Sequence, residues 1–384
     1  MKDIGYLYDN FLEDPWTVYR KYRREQPVFW SEKVKMHCVF SYSDCENVLC
    51  SSDYGVEYTF RRTKQAFGKT ILDIDDERHQ VLRKVVLGMV RNDELDALNQ
   101  EIFIPAIEES IKDIEGKSSI EFNNVFANRV PAKVISRFLG MDEKDERWLY
   151  ENVDYMVHYL DGSVSNVEIV TKRRDAIHDY IRTMIIKNAG TTKGFTSRYK
   201  ELVESNRLSM EEFIGLATII LAGGIETSVS TIGNVMICLL NNPHCQEGVI
   251  DDETYTGKVV TETLRYEPPQ HDAVRFARIN TELSGNPIRE GQALKLLLAS
   301  ANRDETRYPR AEEFWPERPE MSNLSFGKGL HGCVGRRFAH KEITTAIHAF
   351  LKKFRVESNS EVVPKIVGGS FRKANHIPLL IVSR

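Results

Sequence analysis

The chain has 384 residues, 41% hydrophobic and 28% charged, with 52 Lys+Arg against 56 Asp+Glu and a formal charge of −4. This composition excludes disordered, collagen-like and disulfide-scaffold classes, and the near-balanced charge gives no general attraction to nucleic acid or anionic lipid. A chain of this length can bury a core that encloses a large ligand.

The segment MKDIGYLYDNFLEDPW has neither a basic n-region nor an apolar h-region, so no signal peptide is expected. No charge-free apolar run reaches about 18 residues, so no transmembrane helix is expected either. Six cysteines (Cys38, Cys45, Cys50, Cys238, Cys245 and Cys333) form no CxxC pair and read as reduced cytoplasmic thiols. No repeat or Gly/Ser linker divides the chain, which reads as one domain over 1–384.

In chain order, the pattern predicts a helix over 14–25, a strand after Pro27, a strand over 38–40, and helices over 77–90 and 122–139. The longest helix spans 209–240 and opens on Ser209 and Glu212, spaced as a capping box. Strands are predicted over 274–278, 293–298 and 379–382, and a last helix over 334–352. Between 300 and 333 periodicity disappears into a stretch rich in Pro, Gly and charge. Such a long irregular stretch inside a compact domain usually marks function.

That stretch ends in Phe326-Gly327-Lys328-Gly329-Leu330-His331-Gly332-Cys333-Val334-Gly335. One reading is a glycine-rich turn that buries a cysteine. The other is a thiolate at the mouth of the next helix, where the dipole and free amides stabilise it, as axial ligation of haem iron requires. A zinc site on His331 and Cys333 lacks a second ligand pair at suitable spacing.

Upstream, Glu262-Thr263-Leu264-Arg265 places an acid and a base on one helix face, either as a solvated pair or as a buried one. Ala222-Gly223-Gly224-Ile225-Glu226-Thr227 puts two glycines in mid-helix, each costing roughly 1 kcal/mol relative to alanine. Close helix packing or a local opening would explain them. His79 and Arg83 lie one turn apart on the helix that follows Asp75-Asp76.

In this order, these segments resemble the cytochrome P-450 family of haem-thiolate monooxygenases. FGxGxHxCxG matches the family's haem loop, Glu262 to Arg265 followed by Pro268-Pro269 its ExxR pair, and Glu226-Thr227 its oxygen-activating acid and threonine. Asn302-Arg303-Asp304 and Phe314 followed by Glu317-Arg318 match the loop before the cysteine, so the resemblance runs from about residue 10 to 380. The chain departs from the pattern at Phe338, where leucine is usual, and at Glu226, where many bacterial members carry aspartate.

The resemblance implies a mainly α fold with small β regions, a triangular prism holding haem b between the long central helix and the cysteine-loop helix. Cys333 would be the axial ligand of the iron. Phe326, Gly327, Gly223 and Gly224 would line the haem, and His79, Arg83, Arg275 and His331 would hold its propionates. Glu262 and Arg265 would be structural. Thr227 and Glu226 would deliver protons during oxygen activation.

The same resemblance locates substrate-facing segments. Leu216, Ile219, Ile220 and Gly223 would form the wall above the haem. The loop over 52–76 carries Tyr54, Tyr58, Phe60, Arg61, Arg62, Lys64 and Phe67, and an arginine turned inward there would favour an acidic or carbonyl-rich substrate. Gln270-His271-Asp272-Ala273-Val274 is unusually polar, which suggests a substrate bearing amides or hydroxyls, unless His271 and Asp272 turn away to bond backbone. Gly369, Ser370 and Phe371 match the last pocket segment.

The implied reaction is O2-dependent monooxygenation of a small organic substrate of natural-product type, in the cytoplasm. Electrons would come from a separate ferredoxin or flavodoxin-type donor, since the chain ends soon after Cys333. A peroxide-driven or non-monooxygenating haem-thiolate enzyme and a non-catalytic haem sensor are the alternatives, and the intact acid–threonine pair argues against both. From 326 to 341 the chain carries Lys328, Arg336, Arg337 and Lys341 and no acid. This is either a solvated helix end or a docking patch for an acidic donor.

Overall fold

Local start signals place the helices. The computed structural model describes residues 11–58, 61–189, 191, 194–361 and 363–384, so Phe60 lies outside the described residues. Trp16–Glu25 begins behind Pro15, whose fixed φ suits a helix start. Asp76 caps Glu77–Met89 by accepting the His79 amide at 3.2 Å. Ser209 and Glu212 form the expected capping box, with reciprocal bonds of 3.1 and 2.7 Å, and open the helix Met210–Asn241. The helix predicted over 122–139 is divided: Asn123–Ala127 widens into a π turn before Arg129–Leu139. Asn123 there donates its side-chain amide to the Ala374 carbonyl at 2.6 Å, a tie from a distant hairpin that no local pattern reveals.

The Met210–Asn241 helix is apolar around most of its circumference, as a helix buried on nearly all sides must be. Arg129–Leu139, Glu146–Asp161, Val167–Lys187, Glu253–Tyr266 and Arg336–Lys353 pack around it. By length and composition it could cross a membrane, but its apolar window is 72% buried inside the protein.

The β structure is small. One sheet has the order Val28–Ser31, Met36–Val39, Ala293–Leu296, Ala273–Ala277, Tyr54–Gly55, with one parallel pairing (His37 opposite Leu294) and the others antiparallel. A second sheet sets Pro378–Ser383 between Ser119–Glu121 and Phe354–Ser358. A hairpin pairs Ile366–Gly368 with Arg372–Ala374. The strand predicted over 293–298 ends at Leu296, and Leu298–Ala301 turns into a short helix.

The irregular stretch after Ala301 is fixed by buried side chains rather than by a ladder. Glu262 and Arg265 face each other at 2.8 Å, both essentially inaccessible, and Arg318 donates to the same carboxylate at 2.9 Å. Arg265 also donates to the carbonyls of Asn302, Ala311 and Glu313, and the Trp315 amide donates to Glu262. Buried backbone groups without a regular partner are thereby satisfied, which is what allows this chain to run inside the fold. Asn302 accepts the Leu324 amide and donates to Ser325, leading directly into the cysteine loop.

Candidate active site

Gly327 and Gly329 take φ values of 64° and 69°, which an L side chain adopts only with strain. Gly329 has a further constraint: a methyl group there would fall 2.3 Å from the Leu49 carbonyl oxygen of helix Tyr42–Cys50. The turn is closed by Gly327 N donating to Leu324 O at 2.8 Å and Cys333 N donating to Phe326 O at 2.7 Å. Cys333 stands just before the Arg336–Lys353 helix, and the amides of Gly335 and Arg336 donate to its sulfur. Burial pushes the thiol up, while those amides and the Arg83 and Arg336 guanidiniums favour the thiolate. The residue is deeply set yet uncovered, so it borders an internal space.

The central helix has a matching opening. Between Phe213 and Leu240 every residue is buried except Ile219, Ile220, Gly223, Gly224 and Thr227, a spacing that lies on one helix face. Its two glycines have different reasons. A methyl group on Gly224 would come 2.4 Å from Ile135 Cδ1, so Gly224 serves packing against Arg129–Leu139; one on Gly223 would meet nothing within 4 Å. Thr227 donates its hydroxyl to the Gly223 carbonyl at 2.6 Å, leaving the oxygen lone pairs as acceptors toward the open side. Leu216, expected on the pocket wall, is instead buried in the core.

Glu226 does not bond Thr227. It is buried on another face, where Oε1 accepts from Lys373 Nζ at 2.8 Å and Oε2 has no partner among the described residues. A second buried acid, Glu342 on the cysteine-loop helix, accepts from Ser228 at 3.2 Å, and burial pushes it up to about 8. Sequence reasoning passed over it. Phe338, the departure from the family pattern, sits edge-on to Phe103 and Phe138 at ring distances of 4.7 and 5.2 Å.

Cationic groups collect beside the loop. Arg83 donates to the Gly332 carbonyl at 2.5 Å, and the His79 and His331 rings lie 4.4 Å apart. Arg275 is buried, and among the described residues it has no ion-pair partner. Burial and the nearby Arg61 pull Arg275 down to about 10. His79 is pulled down to about 4 by burial, His331 and Arg83, and its Nδ1 is buried without a partner. Arg83 and Arg275 are thus cations without an acid partner among the described residues, with the neutral ring of His79 beside them, and a dianion would stabilise the pair. His331, expected on a propionate, here bonds Asp75 Oδ1 at 2.6 Å. Asp75 also takes Arg278 at 2.8 Å and the Val56 amide at 2.7 Å. Burial opposes its charge, but these partners outweigh that and hold its carboxyl well below the usual range.

A cysteine sulfur facing amide donors, an open glycine and threonine face, and uncompensated cations fit haem and its two carboxylates. A model of the family described as cytochrome P-450 matches residues 119–371. The chain belongs to the cytochrome P-450 family. It is therefore a haem b protein and a monooxygenase. Cytochrome P-450 109 of Bacillus spizizenii is 29% identical over 88% of this chain and 84% of its own. The monooxygenase PikC of Streptomyces venezuelae is 28% identical over 91% of this chain and 86% of its own. Among solved structures, P-450BioI in complex with an acyl carrier protein ligated to hexadec-9Z-enoic acid superposes with a TM-score of 0.90. It is 23% identical, covering 97% of this chain and 99% of that one, a likeness of fold.

Other expectations need correction. His271 is buried: Tyr19 Oη lies 3.1 Å from its Nδ1, Trp16 packs on its ring, and burial lowers its pKa well below the usual value. Asp272 pairs with Lys295 at 2.8 Å and accepts from Ser370, and Gln270 donates to the Asp272 carbonyl. Gln270 and Asp272 are thus satisfied within the protein, while His271 Nε2 is buried with no hydrogen-bond partner among the described residues. Ala273, Val274 and Phe371 are partly open beside it, as are Gln270 and Asp272 themselves, with Gln270 bridged to Phe371. Arg61 does turn inward, but it donates to the Val56 and Leu72 carbonyls beside Asp73, and Arg62 donates to the Tyr159 carbonyl. In the basic stretch, Lys328 pairs with Glu46 and Lys341 with Glu253, while Arg336 packs over Phe326 and Arg337 is exposed.

Proposed function

We propose that the substrate is an apolar small organic molecule of natural-product type, oxidised with electrons from a separate ferredoxin or flavodoxin-type protein in the cytoplasm. The observation that carries the substrate class is that Gln270 and Asp272 are bonded within the protein and His271 is buried, while the apolar Ile219, Ile220, Ala273, Val274 and Phe371 are partly open. PikC, a named monooxygenase, and the acyl-bearing complex of P-450BioI are in keeping with this reading.

When bound, haem supplies the activation of O2 and the insertion of one oxygen atom into a C–H or C=C bond. Cys333 would ligate the iron as a thiolate, with the Gly335 and Arg336 amides moderating its charge. His79, Arg83, Arg275 and His331 would hold the haem carboxylates, and Phe326, Gly327, Gly223 and Gly224 would border the ring. Thr227 Oγ1 keeps its proton on the Gly223 carbonyl and so presents an acceptor to the open side. Glu226 would bring protons to that position from the buried side of the helix. The apolar residues would exclude water from the reacting carbon. Arg336 and Arg337, with Lys328 and Lys341 beside them, would receive an acidic electron donor.

The test is a screen of compounds for the low- to high-spin Soret shift of the holoenzyme. Apolar ligands should shift the spectrum and small polar amides should not, and the reverse ranking would overturn the substrate class. In the reduced, CO-bound protein, Cys333→Ala should abolish the red-shifted band of thiolate ligation.

A further inference from the structure

Outside the cysteine loop, ionisable side chains from three elements meet beneath the central helix. Glu226 comes from that helix, Tyr150, Asp154 and His158 come from Glu146–Asp161, and Lys373 comes from the strand Arg372–Ala374. One side-chain nitrogen or oxygen atom from each of Asp154, His158 and Glu226 lies within 4.8 Å of the others. Such a cluster could hold a metal ion, but Lys373 Nζ already stands 2.8 Å from Glu226 and 3.2 Å from Asp154. The cluster has its cation built in.

Its exposure is graded. The side chains of Asp154, His158 and Lys373 are 32%, 29% and 23% exposed, while Glu226 is 2% exposed. His158 Nε2 lies 3.5 Å from Asp154 Oδ1. The inner acid keeps Oε2 unpartnered among the described residues. The cluster therefore runs from solvent to an inner carboxylate with one free oxygen, and Thr227 follows that carboxylate in the chain.

We propose that His158 is the solvent-side proton donor that recharges Glu226. The imidazolium gives its proton to the Glu226 carboxylate, directly or through one water, and the neutral imidazole takes a proton back from solvent. No electron moves, and Lys373 and Asp154 act as positioning residues that hold the two groups within reach. The inference rests on the reading of Glu226 as the acid that serves Thr227.

The electrostatics suit these roles. The bond and charge of Asp154 raise the pKa of His158, with burial and Lys373 opposing and Glu226 adding to the rise, so the donor is charged on the acid side of neutrality. Burial works against the charge of Lys373, but Glu226, Tyr150 and Asp154 outweigh it and raise its pKa, so the lysine keeps its proton. Tyr150, which faces the same cluster, is pushed by burial up to about 12 and stays neutral.

The experiment uses the holoenzyme reduced by a plant-type ferredoxin and its NADPH-dependent reductase, without organic substrate, and measures peroxide formed per NADPH. Proton delivery sends oxygen to water (two NADPH per O2), and failed delivery releases it as peroxide (one NADPH per O2). In the wild type the peroxide fraction should rise between pH 6.5 and 8.5. In His158→Gln it should be at least twofold higher at pH 6.5 and independent of pH, with the CO-bound spectrum intact. Glu226→Gln should behave alike, and the double variant should be no worse than either. If Glu226→Gln raises peroxide and His158→Gln leaves the pH profile unchanged, the donor assignment falls while the role of Glu226 stands. Additive effects in the double variant would also overturn it. If neither variant changes the fraction, the reading of Glu226 itself falls. Should His158→Gln lose haem, Asp154→Asn is read against the same outcomes.

Discussion

Arg265 Nη2 lies 2.8 Å from Glu262 Oε1, and Arg318 closes on the same carboxylate from the irregular segment. One buried acid therefore binds two buried arginines, and the three tie the helix Glu253–Tyr266 to the chain that leads to the cysteine. Removing the acid strands both cations in the interior, a change that costs about 3–5 kcal/mol. Glu262→Gln should lower the unfolding free energy measured in urea by that amount and give protein that fails to retain haem. A variant with wild-type stability and spectrum would show that the arginines find other partners.

The two adjacent glycines of the central helix should respond in opposite ways. Gly224→Ala drives a methyl group against Ile135 and should destabilise the fold, by about 1–3 kcal/mol for an overpacked contact. Gly223→Ala meets no neighbour and should stabilise the apoprotein by up to about 1 kcal/mol, the helix propensity of alanine over glycine. Spectra of the holoenzyme should change for Gly223→Ala, which adds bulk on the open face. Thermal melts of both apoproteins, with the Soret band of each loaded form, check the contrast.

His79 gives the apoprotein a pH signature. Its folded pKa is pulled down to about 4 from an ordinary value of 6.5. Between these values the unfolded chain binds a proton that the folded one resists, so stability is complete above the upper value and is lost as pH falls toward the lower. Holoenzyme, with carboxylates beside the ring, should lose less over this window. Denaturant titrations of apoprotein and holoenzyme at pH 7 and pH 5 measure the difference. His79→Gln should flatten the apoprotein curve, and equal slopes for wild type and variant would remove His79 as its source.

Charge on the cysteine side should matter unequally. Lys341 is already paired with Glu253, whereas among the described residues Arg336 forms no ion pair and packs over the Phe326 ring. Reversing Arg336 to glutamate should slow reduction by an acidic ferredoxin severalfold at low salt and flatten its salt dependence. Lys341→Glu should do less. Stopped-flow reduction across ionic strengths ranks the two, and equal effects would show that the donor engages the whole stretch.

Features set by local spacing were legible from sequence. The Ser209–Glu212 box, the Glu262–Arg265 pair and the glycines of the cysteine loop are short-range relations, and each has its expected geometry. Whatever depended on a distant partner was not legible. The π turn at Asn123 answers to Ala374, His331 is taken by Asp75, and Glu226 is taken by Lys373. The polar run after Pro269 misled for the same reason. A sequence displays His271 and Asp272 but not the Tyr19 that meets His271 Nδ1 or the Lys295 that pairs with Asp272.

Gly329 carries a last implication. With a methyl group there falling 2.3 Å from the Leu49 carbonyl oxygen, the loop bearing Cys333 lies against the main chain of the Tyr42–Cys50 helix, and Lys328 ties it to Glu46 of the same helix. The height of the sulfur is then a mechanical datum of the scaffold. Substitutions that reshape the substrate cavity can accumulate on the far side without moving it. Redesign of specificity and tuning of the ligand can accordingly proceed as separate problems.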